Sequence, residues 1–147
     1  MSISDIDNDH SRNIGIVADN IPSLCWLADD KGSIYWYNMR WYEYTGTTPE
    51  DMYGWGWKSV HHPKVLADVL IKWVNCLSTG DSFEMIFPIK GNDGIFRPFL
   101  TRVVPIKKEG TITSWFGCNI EVGGIFSNET YVKEWQQLQL KMVVTDV

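Results

Sequence analysis

The chain has 147 residues, a mass of 16.9 kDa, a hydrophobic fraction of 44%, a charged fraction of 21% and a mean hydropathy of −0.17, the figures of an ordinary soluble globule rather than a disordered or fibrous chain. A single domain of this size buries roughly 70% of the surface its unfolded chain exposes, and the net charge of −5 repels nucleic-acid backbones and anionic lipid surfaces, which excludes them as partners. Eight Trp, six Tyr and six Phe are the anomaly, because rings this large and rigid either interlock or frame a shaped cavity.

Residues 1–12 are acidic and polar, with neither periodicity nor an apolar h-region, and read as a loose lead-in. No run of about eighteen apolar residues follows, so a cytoplasmic chain without membrane insertion is expected. A short amphipathic helix carries Ile14, Val17 and Ile21 on one stripe and stops at Pro22. SLCWLA and SIYWYN then read as strands joined by the turn DDKG. MRWYEY is a short helix closed by Gly46. A second starts at Thr48, where Thr48 caps, Pro49 suits the first helical position and Asp51 completes a capping box. Helix initiation alone therefore explains the acidic Thr-Pro-Glu-Asp, and no catalytic carboxylate pair is needed.

The longest helix is predicted over Pro63–Thr79, with Leu66, Val69, Leu70, Trp73 and Leu77 on one face and Gly80 ending it. Three strands follow, SFEMIFPIK, IFRPFLTRVVPI and TITSWFGCNIEV, separated by turns at Gly91–Gly94 and Lys107–Gly110 and hence antiparallel. Alternation puts Phe83, Met85, Phe87 and Ile89, then Phe99, Thr101 and Val103, then Trp115, Gly117 and Asn119 on one face. Ile86, Leu100, Val104 and Phe116 lie opposite, so that part of the second face is covered as well. A last helix over Asn128–Met142 carries Val132, Trp135, Leu138 and Met142 on a narrow stripe, suited to docking on the sheet's outer face or to a seam with a second chain, either of which uses Ile86 and Phe116.

Cys25, Cys76 and Cys118 are 51 and 42 residues apart, neither a disulfide framework nor a zinc spacing, and read as buried thiols packing as small hydrophobes. The sequon at Asn128 has no role without secretion. No phosphate loop, dinucleotide fingerprint, Gly-x-Ser-x-Gly or His-Glu-x-x-His is present, so no catalytic residue and no metal site is assigned.

The element order is α+β, and WLADDKGSIYWYNMRWYEYTG, GWGWKSVHHP, STGDSFE, NDGIFRPFLTRVVPI and WFGCNIE each resemble, in the right order, their counterparts in the PAS subfamily common in bacterial sensor histidine kinases. The resemblance spans about residues 14–122. It implies a PAS fold: a five-stranded antiparallel sheet with short helices and one long helix on one face, plus terminal flanking helices, with the domain over 13–122 and a flanking or signalling helix over 123–147. In such a fold Gly-Trp-Gly-Trp wraps one side of a central cavity and His-Pro caps the long helix, which makes the His61-His62 pair structural rather than catalytic.

This sequence departs from the family pattern where Lys64 and Val65 replace acidic residues, where Ile86 and Pro88 replace a Glu and an Arg, and where Pro98 replaces a Trp. Photoactive flavin members need a cysteine where Trp57 stands, and a haem needs an axial histidine on the long helix, which has none. Both cofactors are disfavoured, and the cofactor is unknown. The ligand-binding set implied is Trp26, Ala28, Tyr44, Met52, Trp57, Leu70, Met85, Phe87, Phe99, Thr101, Val103 and Trp115, with Asn119 and His61 as polar points.

Ile14, Val17, Ile86, Phe116, Val132, Trp135, Leu138 and Met142 form the expected dimer or signalling surface. The expected function is a non-catalytic sensory module, homodimeric, that binds a small molecule or relays a signal to an output such as a histidine kinase. The alternatives are a ligand-free dimerisation module and a small pocketed enzyme, which would need a base inside the cavity.

Overall fold

The computed structural model describes residue 19, residues 21–122 and residues 129–143, with side chains of the last helix described from Lys133 to Met142. Ile14 and Val17 lie outside the described residues. So does the side chain of Val132.

Five strands, β1 (Leu24–Asp29), β2 (Ile34–Tyr37), β3 (Phe83–Lys90), β4 (Phe96–Lys108) and β5 (Thr111–Glu121), form one antiparallel sheet in the order β2-β1-β5-β4-β3. The β1–β2 turn closes because Asp29 Oδ1 accepts from the N–H groups of Lys31 and Ser33 at 3.0 and 2.9 Å, while Gly32 takes φ 93°. Period-two alternation is realised as expected: Met85 faces Thr101, Phe87 faces Phe99, and Thr101 faces Asn119 on the next strand. Pro88 and Pro98 oppose each other across β3–β4. Two residues without an N–H fit face to face only at a non-hydrogen-bonded pair, so the ladder loses nothing there.

Between β2 and β3 run the helices. Asn38 caps α1 (Met39–Thr45): its Oδ1 accepts from Trp41 N at 3.2 Å and from Cys25 N at 3.0 Å, and its Nδ2 donates to the Ser23 carbonyl at 2.9 Å. One wholly buried amide thus ties the helix start to Ser23 and Cys25, where the chain enters β1. α2 (Pro49–Met52) has the capping box read from the sequence, Thr48 with Asp51. A 3-10 turn, Gly56–Val60, leads to α3 (Pro63–Thr79), where the His62 ring accepts from Lys64 N at 3.2 Å and Gly80 closes the helix in the left-handed region.

The buried stripe of α3 is Val65, Val69, Trp73 and Cys76, rotated from the expected one, with Leu66, Leu70 and Leu77 half-buried at its flanks. Compact Val and Cys side chains allow close approach to the sheet, and each Val buried this fully contributes roughly 1.5–3 kcal/mol. Trp73 fills the centre, edge-on to both Trp26 (5.5 Å) and Trp115 (5.6 Å). Gly117 makes room for this cluster, since a Cβ there would lie 2.0 Å from the Trp26 ring.

The last helix, α4 (Glu129–Val143), packs against α3 and against β3, the edge strand. Leu138 and Met142 rest on the core, Trp135 is half-buried, and Lys141 pairs with Asp68 of α3. Its described contacts within the chain are with α3 and the edge strand β3.

Candidate functional site

A cavity of about 40 Å³ lies between the concave face of the sheet and the helices. Trp26 and Ile34 come from the β1–β2 hairpin, Trp41 from α1, Trp57 and His61 from the 3-10 turn and its exit, and Val69 and Trp73 from α3. Phe83, Phe87, Ile89, Thr101, Val103 and Asn119 complete it from β3, β4 and β5. Among the described residues, no charged side chain lines it.

The sheet side is satisfied internally. The Thr101 hydroxyl donates to Asn119 Oδ1, and Asn119 Nδ2 donates to the Leu24 carbonyl at 3.0 Å. On the helical side, the indole N–H groups of Trp41 and Trp57 are buried without an acceptor among the described residues; away from the cavity, Tyr37 Oη and Trp115 Nε1 are in the same condition. A buried donor with no acceptor costs about 1–3 kcal/mol, so these atoms mark where a water or ligand oxygen is worth most.

His61 sits in an aromatic slot, 5.2 Å from the Trp57 ring and 5.0 Å from Phe87. Its Nδ1 lies 2.9 Å from the Trp57 carbonyl. A carbonyl only accepts, so Nδ1 carries the proton and Nε2 is left as an acceptor. Burial pushes the imidazole down to about 4, the Trp57 carbonyl opposing only in part, so His61 is neutral near pH 7. The cavity therefore offers donors from two indoles and an acceptor from one imidazole.

Of the residues expected at a ligand site, the structure brings Trp26, Trp57, His61, Phe87, Thr101, Val103 and Asn119 to the cavity wall. It does not bring the other seven. Ala28, Met52, Phe99 and Trp115 are buried in the core around it. Tyr44 turns its hydroxyl to the Ile89 carbonyl, 2.7 Å away, and its ring edge to Phe99. Leu70 is a flank of α3. Met85 has the expected facing, but on the edge strand it meets α4 and lines a separate cleft with Asp68, Glu134 and Leu138.

Ile34, Trp41, Val69, Trp73, Phe83 and Ile89 are wall residues absent from the expected set. Trp41 had a signal: it stands three residues after Asn38, inside the first turn of a capped helix that buries it. On the expected dimer surface, Ile86 is 0% exposed beneath the chain's own elements and offers nothing to a second copy. Phe116 is half-buried.

A family model described as PAS fold matches residues 33–119. The chain belongs to the PAS family. It is 31% identical over 97 residues to the uncharacterized protein y4lL of Sinorhizobium fredii, covering 65% of this chain and 12% of that protein. It is 26% identical over 109 residues to the peroxide stress-activated histidine kinase mak1 of Schizosaccharomyces pombe, covering 73% of this chain and 7% of that protein. The PAS chain thus spans a small part of the length of these relatives.

Among solved structures, the Rhodobacter sphaeroides LOV protein superposes with TM-score 0.66 at 13% identity, over 92% of this chain and 83% of that one. The PAS domain of the Cronobacter turicensis RpfR quorum-sensing receptor, in complex with BDSF, gives 0.57 at 22% identity, over 70% and 96%. At these identities the likeness is one of fold. The five-stranded α+β architecture and the PAS assignment are as the sequence led us to expect. No described helix is long and apolar enough to cross a membrane.

Proposed function

We propose that this PAS domain is a non-catalytic sensory module whose cavity takes a small neutral molecule carrying a carbonyl or hydroxyl oxygen. The observation behind this reading is the pair of unpartnered indole N–H groups, Trp41 and Trp57, on the wall of a cavity that also holds the neutral His61. A full anion would shed its hydration with no cation to meet it, whereas a neutral oxygen accepts from the indoles and a hydroxyl donates to His61 Nε2. Its size, about 40 Å³, has room for a few ordered waters as it stands, which favours a small ligand over a flavin or a haem.

Occupancy would be read at α4. A ligand that favours one arrangement of Trp57 and His61 shifts how β3 and α3 present themselves to the helix packed on both, and it does so only by its difference in affinity between the two arrangements. The kinase among the relatives makes a histidine kinase one output such a helix could drive. The RpfR domain, bound to BDSF, supports ligand binding as the use of the interior. The small volume favours one other reading, a ligand-free domain that works through partners or a second copy.

Native mass spectrometry of the chain purified from cells, followed by thermal-shift screening of small neutral carbonyl and hydroxyl compounds, separates them. Sensing predicts a bound mass or a rise in Tm that Trp57→Phe abolishes while leaving the apo Tm within a few degrees. A clean apo mass, with no compound shifting the wild type, rejects the ligand reading.

A further inference from the structure

The sheet's outer face holds a pair of thiols that the cavity does not use, and that the spacing in sequence conceals. Cys25 on β1 and Cys118 on β5 are direct register partners with Sγ atoms 3.9 Å apart, both free. The N–H of Cys25 donates to Asn38 Oδ1 at 3.0 Å and its carbonyl accepts from Asn38 N at 3.0 Å, so both groups turn away from β5. The Cys25–Cys118 pair is therefore a non-hydrogen-bonded one. Opposed Cα atoms at such a pair lie about 4.5 Å apart, inside the range of about 4.4–6.8 Å over which a disulfide closes. Rotation of the side chains brings the sulfurs together without moving the strands.

The two sulfurs are not equivalent. Cys25 is 1% exposed, while Cys118 is half-buried and open to small molecules. Cys118 receives the Cys25 thiol and lies 3.3 Å from Ser23 Oγ. On its other side its register partner is Arg102, which also pairs with Glu84 of β3 at 2.6 Å. The hydrogen bond from Cys25 first, then those from Ser23 and the Arg102 charge, hold the Cys118 thiol down to about 6 against the opposing effect of burial. Cys25 is pushed well above the usual thiol range by its hydrogen bond to Cys118 and by burial. Thiolate character, access and an adjacent second thiol are what separate reactive cysteines from inert ones.

We propose that Cys118 and Cys25 form a hydroperoxide-reactive switch. The Cys118 thiolate attacks one oxygen of a hydroperoxide, the O–O bond breaks, and hydroxide or alkoxide leaves while the sulfur is oxidised to a sulfenic acid. Cys25 then attacks that sulfur. The S–S bond forms, the S–O bond breaks, and the departing hydroxyl takes up the Cys25 proton and leaves as water. A thiol reductant reverses the oxidation. The bond would lock β1 to β5 beside Ser23, where the chain enters the sheet, and Cys76, buried on α3, stays out of the reaction.

The test treats the full chain at pH 7 with equimolar hydrogen peroxide, quenches with N-ethylmaleimide and maps the cysteines by peptide mass spectrometry. Cys25 and Cys118 are expected to leave together as one linked peptide pair, Cys76 to be alkylated, and dithiothreitol to restore both thiols. Before oxidant, Cys118 should be alkylated about tenfold faster than Cys76, the larger thiolate fraction being offset in part by lower intrinsic nucleophilicity. In Cys25→Ser the sulfenic acid should persist and be trapped by dimedone. Absence of the linked pair in the wild type, prior loss of Cys76, or Cys118 ending as sulfinic acid beside a free Cys25 would each overturn the proposal. These wild-type maps decide the matter even if a variant fails to fold.

Discussion

On the sheet wall of the cavity, Thr101 and Asn119 face each other in register and saturate one another, with the Leu24 carbonyl taking the remaining amide bond. On the helical wall, Trp41 and Trp57 bury N–H groups that no described residue accepts from, and His61 keeps an acceptor in reserve. The difference follows from how each wall is positioned. Ladder pairing fixes strand against strand along many backbone bonds, so polar side chains on neighbouring strands meet in pairs. Short helices are placed by their caps instead, and the side chains beyond the caps fall where packing puts them. A sheet wall whose polar groups are spent on one another frames a ligand but does not select it. Selection belongs to the helices.

The largest effect should come from the helical wall as packing. Trp41→Ala empties a nearly sealed site stacked on Tyr37 at 4.7 Å and is expected to cost about 3–5 kcal/mol, read as a lower urea midpoint with an unchanged slope. A loss below about 1 kcal/mol would mean that Trp41 is not part of the core and that the cavity has no roof there.

Next comes His61. Its folded pKa, about 4, is below the ordinary value near 6.5, so the unfolded chain binds a proton between these pH values and the folded chain does not. The stability due to neutral His61 is thus whole above about pH 6.5 and drains away as pH falls toward 4, by an amount on the order of 3 kcal/mol. Urea titrations at pH 7, 5.5 and 4.5 should show this slope in the wild type. His61→Gln should flatten it over that window, and an equally steep slope in the variant would assign it to other groups.

Sequence made the walls visible unevenly, for the same physical reason. Period two, read from Phe87, Thr101 and Asn119, transfers straight into space because pleating leaves only two faces to choose from. Met85 obeyed the period and still missed the cavity, since being on an edge strand beside α4 is a fact of strand order. On α3, adjacent residues differ by 100°, and reading Leu66 and Leu77 in place of Val65 and Cys76 was enough to rotate the buried face. Capping at Thr48 and His62 was legible because it is local. The partnership of Cys25 with Cys118 was not, because it depends on β1 lying beside β5 at one register.

The smallest effect sharpens the contrast most. Asn119→Ala strips the Thr101 hydroxyl and the Leu24 carbonyl of their partner and should cost about 1–3 kcal/mol. Replacing both members, Thr101→Val with Asn119→Leu, removes the unpaired groups together and should cost less than the two single changes summed, with a coupling of about 0.5–3 kcal/mol by double-mutant cycle. Strict additivity would mean that the two side chains do not serve each other. Because their bonding capacity is spent on one another, Thr101→Val should also leave intact any Tm rise that a neutral ligand gives the wild type, where Trp57→Phe removes it. If Thr101→Val removes it too, the sheet wall binds as well as frames, and the division of labour between the walls is wrong.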